Sequence, residues 1–208
     1  MKTEGFSKRE ERVLRTSVEE QYEKMRGARL YRNIDFILYV AVVVLLALGI
    51  RTFLAEPVRV EGDSMVPTLL NNEHMFVEKV GYWVEKPARG DIIICYYPGY
   101  TESCVKRVIA LPGETVSVQN GQVQIDGRVL NESNYWNGEI YGDMEPLRVA
   151  DQQVFVMGDN RNGSKDSRNP AVGCIPYEKI VGQVRMVIWP PQFFRAIPKE
   201  GYTNGNVQ

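Results

Sequence analysis

The hydrophobic positions along this chain change their period once, near residue 55. Ahead of that point stands one apolar block, Ile34 to Ile50, broken only by Asp35 and continued past Arg51 through Thr52-Phe53-Leu54-Ala55. Its seventeen residues lie at the lower edge of what a helix needs to cross a bilayer, and Arg51 can snorkel to lengthen the span. No alternating polar face interrupts the block, which argues against a buried soluble helix. Beyond it, short β-branched and aromatic runs bounded by turn residues predict strands over 75–80, 91–97, 104–110, 115–118, 122–126, 153–157 and 180–189. Asn120-Gly121 and Asp126-Gly127 predict two tight hairpins. Leu130 to Ala150 is polar and aromatic without periodicity, and reads as an excursion from the core. No internal repeat is present. The pattern predicts an all-β domain behind one N-terminal transmembrane helix.

Charge orients that arrangement. Residues 24–32 carry Lys24, Arg26, Arg29 and Arg32 and no acid, so this flank is expected to stay cytoplasmic while the larger C-terminal part is exported. The expected organisation is a basic cytoplasmic tail (1–33) and a transmembrane signal-anchor helix (34–55). An extracytoplasmic β-rich domain (56–198) follows, with its excursion near 115–150, and then a C-terminal tail (199–208). The competing reading is a cleaved secretory signal. A 33-residue leader, a long apolar block and Arg51 close behind it stand against that. The basic flank borders the lipid bilayer and reads as a solvated tail that sets topology.

At 208 residues and 44% hydrophobic composition the chain can bury one sizeable core. A formal net charge of −1 supplies no domain-wide basic field, so nucleic acid is not an expected partner. The three cysteines and single histidine lack metal-ligand spacing, and neither a metal nor a cofactor is expected. Cys95 and Cys104 flank a turn between two strands; a disulfide across it and two free thiols are both compatible with the sequence. Cys174 reads as a packing residue. His74 lies in the polar segment Asn71-Asn72-Glu73-His74 and reads as an exposed loop residue, which leaves no histidine for a Ser–His–Asp triad.

The candidate chemistry lies in Ser64-Met65-Val66-Pro67 and in Lys106, which stands in the apolar run Val105-Lys106-Arg107-Val108-Ile109-Ala110. Pro67 fixes its own φ and pushes Val66 out of the helical region, so Ser64 sits in a turn that can present its hydroxyl to a cleft. A serine hydroxyl is inert until an adjacent base activates it. A free lysine is only about 0.04% neutral at pH 7, but desolvation can lower a buried one by roughly 3–5 units, into the working range of a general base. The bland alternative for Lys106 is a strand-edge lysine that snorkels to water. Further on, Gly158-Asp159-Asn160-Arg161-Asn162-Gly163-Ser164-Lys165-Asp166-Ser167-Arg168 follows a strand, and its order of acids, bases and serines reads as a hydrogen-bonded structural loop.

These segments resemble the bacterial type I signal peptidases, membrane-anchored Ser/Lys endopeptidases that remove signal peptides. Four blocks carry the resemblance in the family's order: Glu61 to Leu69, Arg89 to Ile94, Lys106 to Glu114 and Gly158 to Arg168. The resemblance implies a signal-peptidase-like β fold, Ser64 as nucleophile, Lys106 as general base and an ester-linked acyl-enzyme. It implies that Ser164 orients the lysine, that Asp166 and Arg168 form a buried brace, and that Asp159 and Arg161 support the same loop. Some members carry a serine two residues before the nucleophile; here that place is Gly62, so the oxyanion hole would rest on backbone N–H groups, that of Ser64 included. Gly62 and the short serine–lysine interval resemble the Gram-positive branch. Implied partners are secretory preproteins with small residues at −1 and −3, admitted by shallow apolar pockets to which Met65 and Ile109 could contribute, and the nearby export translocase. A self-cleaving repressor would need a soluble DNA-binding domain where the apolar block stands. A conjugation or pilus maturation peptidase would share the chemistry, and a non-enzymatic anchored β-domain would not depend on Ser64.

Overall fold

The computed structural model describes residues 8–49, 55–79 and 81–198. The chain divides into two compact units, residues 1–50 and 51–208. The first holds one helix, α1 (Lys8–Gly49), on which Phe36 to Leu46 and Leu48 include a long series of exposed large apolar side chains. Among the described residues no helix is long and apolar enough to cross a membrane. The expected span over 34–55 is also too long at its C-terminal end. Ala55 already belongs to a strand, and residues 50–54 lie outside the described residues, as does the expected tail at 199–208.

Among the described residues the second unit is mainly β, with one short α-helix and three single-turn 3-10 helices. Its elements are β1 (Ala55–Arg59), β2 (His74–Glu78), α2 (Gly81–Val84), β3 (Ile92–Tyr96), β4 (Ser103–Ala110), β5 (Thr115–Gln119), β6 (Gln122–Ile125), β7 (Arg128–Val129), β8 (Met144–Arg148), β9 (Gln153–Met157), β10 (Ile175–Pro176), β11 (Ile180–Trp189) and β12 (Arg195–Ala196). A large sheet runs β1-β2-β11-β3-β4-β9-β10, with β12 paired to β11, and a four-stranded sheet runs β7-β6-β5-β8. Every pairing is antiparallel. The expected excursion is therefore the small sheet. Its two hairpins turn at Asn120-Gly121 and Asp126-Gly127, all four residues having positive φ as a right-twisted two-residue turn requires.

The apolar run of β3 explains the position of the catalytic candidates. Ile92, Ile93, Ile94 and Cys95 are all buried, because both faces of the large sheet are covered. Ile92 and Ile94 join Met65, Leu69, Met75 and Val187 in one core; Ile93 and Cys95 join Val108, Val156 and Ile175 in another. Each full burial of such a side chain stabilises by about 1.5–3 kcal/mol. At the end of β4 the ladder to β9 slips between Val108 and Ala110, so that Ile109 is an extra residue. The bulge turns Ile109 and Ala110 into a third core with Val116, Val118, Val123 and Phe155, where the small sheet packs.

Candidate active site

Ser64 lies on the turn between β1 and β2. Its neighbours Met65 and Leu69 are 2% and 0% exposed and anchor the turn in the core. Leu69 N–H donates to the Met65 carbonyl at 2.9 Å, and the Val66–Pro67 peptide is cis. Gly62 has a φ of 86° and donates its N–H to Asn71 Oδ1 at 3.1 Å. Lys106 comes from the middle of β4, directly opposite Ile93, and is 4% exposed. Its Nζ lies 2.8 Å from Ser64 Oγ and donates to the Val105 carbonyl at 2.8 Å. Burial pushes the Lys106 ammonium below the ordinary lysine value, while Cys104, Asp166, Cys95 and Asp159 pull it back up. A lysine next to a serine hydroxyl, partly stripped of water, has the arrangement a general base needs. The strand-edge alternative, a solvent-reaching Lys106, does not fit a side chain this buried.

The loop of the fourth block clamps the serine turn. Asn160 N–H donates to the Ser64 carbonyl at 3.0 Å, and Asn160 Nδ2 to the Asp63 carbonyl at 3.1 Å. Gly158 stands under this contact, where a Cβ would overlap both the Ser64 carbonyl oxygen and Ser164 Oγ. Asp166 accepts from Gly158 N–H at 3.0 Å and pairs with Arg168 at 2.8 Å, its own side chain being fully buried. Arg168 also donates to the Arg161 carbonyl at 2.5 Å. Ser164 is half-buried, and its Oγ finds no hydrogen-bond partner among the described residues; the two partners of Lys106 Nζ are Ser64 Oγ and the Val105 carbonyl.

Asp159 and Arg161 are both buried; Arg161 N–H donates to the Asp159 carbonyl at 3.0 Å, but their side chains take different partners. Asp159 takes a bidentate bond from Arg107 at 2.8 and 2.7 Å and also accepts from Thr68 Oγ1 at 2.5 Å. Arg161 makes a bidentate bond to Glu132 at 2.6 Å on each nitrogen. The Tyr135 ring lies 4.1 Å from the Arg107 guanidinium and 5.5 Å from that of Arg161. Arg107, Glu132, Tyr135 and Thr68 are thus partners that the sequence reading missed. Arg107 had a signal, as a second cation inside an apolar run. Glu132 and Tyr135 had none, lying in the segment without periodicity.

A cleft of about 490 Å³ opens over the pair, lined by Pro57 and Val58 of β1 and by Met65, Ile94, Cys104 and Lys106, with Ser64 at its wall. Met65 contributes to it. Ile109 does not, because the bulge sends it into the small-sheet core at 1% exposure. The Ser64 amide has no protein acceptor among the described residues, which leaves it open to an oxyanion. His74 opens β2 opposite Arg59 and Trp189 and is half-buried, not the exposed loop residue expected from the polar segment around it. All three cysteines are free, and among the described residues no cluster of three or more His, Cys, Asp or Glu could hold a metal.

The family described as signal peptidase, peptidase S26, matches residues 33–189. A probable signal peptidase I-1 from Synechocystis sp. is 43% identical over 72% of this chain and 79% of its own length. Signal peptidase I T of Bacillus subtilis is 39% identical over 73% of this chain and 82% of its own. A crystal structure of a signal peptidase I from Enterococcus faecalis aligns over 48% of this chain and 97% of that one, at 32% identity and a TM-score of 0.42. With more than two thirds of its length matched at these identities, the chain belongs to the signal peptidase family, peptidase S26.

Proposed function

We propose that this signal peptidase cleaves preproteins through a Ser64/Lys106 dyad and an acyl-enzyme. The observation that carries the reading is the 2.8 Å contact between a buried, acid-shifted Lys106 Nζ and Ser64 Oγ at the wall of a cleft. Neutral Lys106 takes the Ser64 proton as Oγ attacks the scissile carbonyl, forming a tetrahedral oxyanion. The free Ser64 N–H faces that charge; loss of one such donor typically costs about 2.7–4 kcal/mol. Collapse of the intermediate expels the amine of the mature N-terminus, which receives the proton from Lys106. The ester left on Ser64 is hydrolysed by a water that Lys106 deprotonates in turn.

The supporting residues act through position. Asp166–Arg168 and Gly158 hold the loop whose Asn160 bonds to the Ser64 carbonyl. Arg107–Asp159 and Arg161–Glu132 fix the same loop from behind. Ser164, beside Gly158, takes the role of orienting Lys106 that the resemblance implies.

The domain limits and topology belong to the same proposal. Residues 1–33 stay in the cytoplasm, the apolar part of α1 lies in the bilayer, and the β domain acts on the extracytoplasmic face, near the export translocase. Support comes from the basic residues of 24–32 and from the exposed apolar side chains between Phe36 and Leu48, a surface that lipid would cover. Small −1 and −3 residues suit a cleft whose wall includes the buried Met65. Incubating the purified chain with a model preprotein and sequencing the new N-terminus tests the reading. Wild type should cut once after the small residues, and Ser64→Ala and Lys106→Ala should each retain below about a percent of the rate. Substantial activity in either variant would refute the dyad.

A further inference from the structure

Strands β3 and β4 place Cys95 and Cys104 directly opposite each other, and Cys104 is two residues before Lys106 on the same face of β4. Their sulfurs are 3.6 Å apart and both thiols are free. The pair is asymmetric. Cys95 is buried in the core beneath the sheet, while Cys104 is half-buried and lines the cleft that holds Ser64 and Lys106. We propose that Cys95 and Cys104 are a modification site within this cleft: a dithiol that exchanges with a disulfide co-reactant and so tunes the lysine beside it.

The chemistry follows from the asymmetry. A hydrogen bond from Cys95 and the charge of Lys106 bring the Cys104 thiol down to about 7, against the opposing effect of burial. The hydrogen bond to Cys104 and burial hold Cys95 well above the ordinary thiol value. Cys104 is therefore the attacking thiolate and Cys95 the resolving thiol. Cys104 Sγ attacks one sulfur of a small or protein disulfide, RSSR, and expels one thiolate, leaving a mixed disulfide on Cys104. Cys95 then loses its proton and attacks Cys104 Sγ, expelling the second. Two protein thiols are oxidised to one disulfide and RSSR is reduced to two RSH.

The consequence reaches Lys106 by electrostatics. The groups that face it and favour its charged form are Cys104 on β4, Cys95 on β3, and Asp166 and Asp159 on the clamping loop; Ser64 faces it from the turn as a neutral hydroxyl. Oxidation removes the negative charge of the Cys104 thiolate beside the ammonium and leaves the carboxylates. The neutral lysine is then reached at lower pH, so the acid limb of cleavage moves to lower pH with no gain on the plateau.

This inference rests on Lys106 being the base, and its test separates the two ideas. The full chain in detergent micelles is reduced, freed of reductant and treated with oxidised glutathione, then mapped by mass spectrometry and assayed on a signal-peptide substrate across pH. The expected product is a Cys95–Cys104 disulfide with Cys174 still alkylatable. On the acid limb the oxidised enzyme should cleave about twofold or more faster than the reduced one. The Cys95→Ser/Cys104→Ser variant should give one profile whatever the oxidant. A persistent glutathione adduct on Cys104, a bridge to Cys174, or no bridge at all would overturn the dithiol. Superimposable profiles for the bridged and reduced enzymes would overturn its link to Lys106. Cleavage by Lys106→Ala would instead overturn the dyad, with the disulfide map still deciding the pair.

Discussion

Removing the Glu132 carboxylate tests whether the small sheet holds the catalytic loop in place. In the folded chain both terminal nitrogens of Arg161 bond to Glu132 at 2.6 Å, and the Arg161 side chain is wholly buried. Glu132→Ala leaves that guanidinium charged and unpaired, a break that typically costs about 3–5 kcal/mol. At about 2–4 °C per kcal/mol for a domain of this size, the melting temperature should fall by about 6–20 °C. The double variant Glu132→Leu/Arg161→Met removes both charges and should recover most of that loss, since an apolar replacement of a buried pair is close to neutral. Catalysis should suffer separately, because Asn160, next to Arg161, carries the bond to the Ser64 carbonyl. Circular dichroism melts of the full chain in micelles, beside kcat on a signal-peptide substrate below the melting range, read both effects. A loss under about 2 °C for Glu132→Ala, or a double variant no more stable than the single, would show that the Arg161–Glu132 pair does not brace the loop.

Other outcomes follow from the same geometry. The kcat/KM profile should rise with pH through an ionisation below that of free lysine, because burial favours the neutral amine of Lys106; a profile flat from pH 5 upward would identify another base. Lys106→Met should abolish cleavage yet stabilise the fold, and the stability of wild type, but not of the variant, should rise with pH between the folded and unfolded lysine values, where the unfolded state holds the extra proton. Burial opposes the charge of Glu73, but its bonds to Arg195 and to the Leu70 N–H outweigh that and lower its pKa. Its contribution is therefore present above the ordinary carboxylate range and lost as pH falls through the depressed value, and Arg195→Ala should flatten that part of an acid-unfolding curve.

The strands that carry the site were legible because their residues repeat at strand spacing and end at turn signals. Strands β9 and β11 match the expected ranges, and β2 to β6 differ by no more than a residue or two at their ends. The two hairpins were fixed by Asn-Gly and Asp-Gly. Strand β1, Ala55-Glu56-Pro57-Val58-Arg59, has no apolar run and owes its form to pairing with β2; the sequence pattern places Ala55 at the end of the membrane segment and predicts no strand over 56–59. Strand β8 is mostly exposed and shows no alternation to detect. Lys106 stood out because a cation inside an apolar run is anomalous, and Ser64 because Pro67 marks a turn beside it; the pairing of Asp166 with Arg168 was implied by the resemblance of the fourth block, not by local pattern. Glu132 and Tyr135 are tied to the site only through tertiary contact, and local pattern does not encode which arginine a distant carboxylate will meet.

In the proposed mechanism Ser64 forms the covalent intermediate with Lys106 as its base. Rapid acid quenching of the full chain with a slowly hydrolysed ester of a signal-peptide fragment, followed by peptide mapping, tests it most directly. One acyl group is expected, on the peptide containing Ser64, forming faster as pH rises and absent in Ser64→Ala and Lys106→Ala. An acyl group on any other residue, or acylation of Ser64 at an undiminished rate in Lys106→Ala, would contradict it.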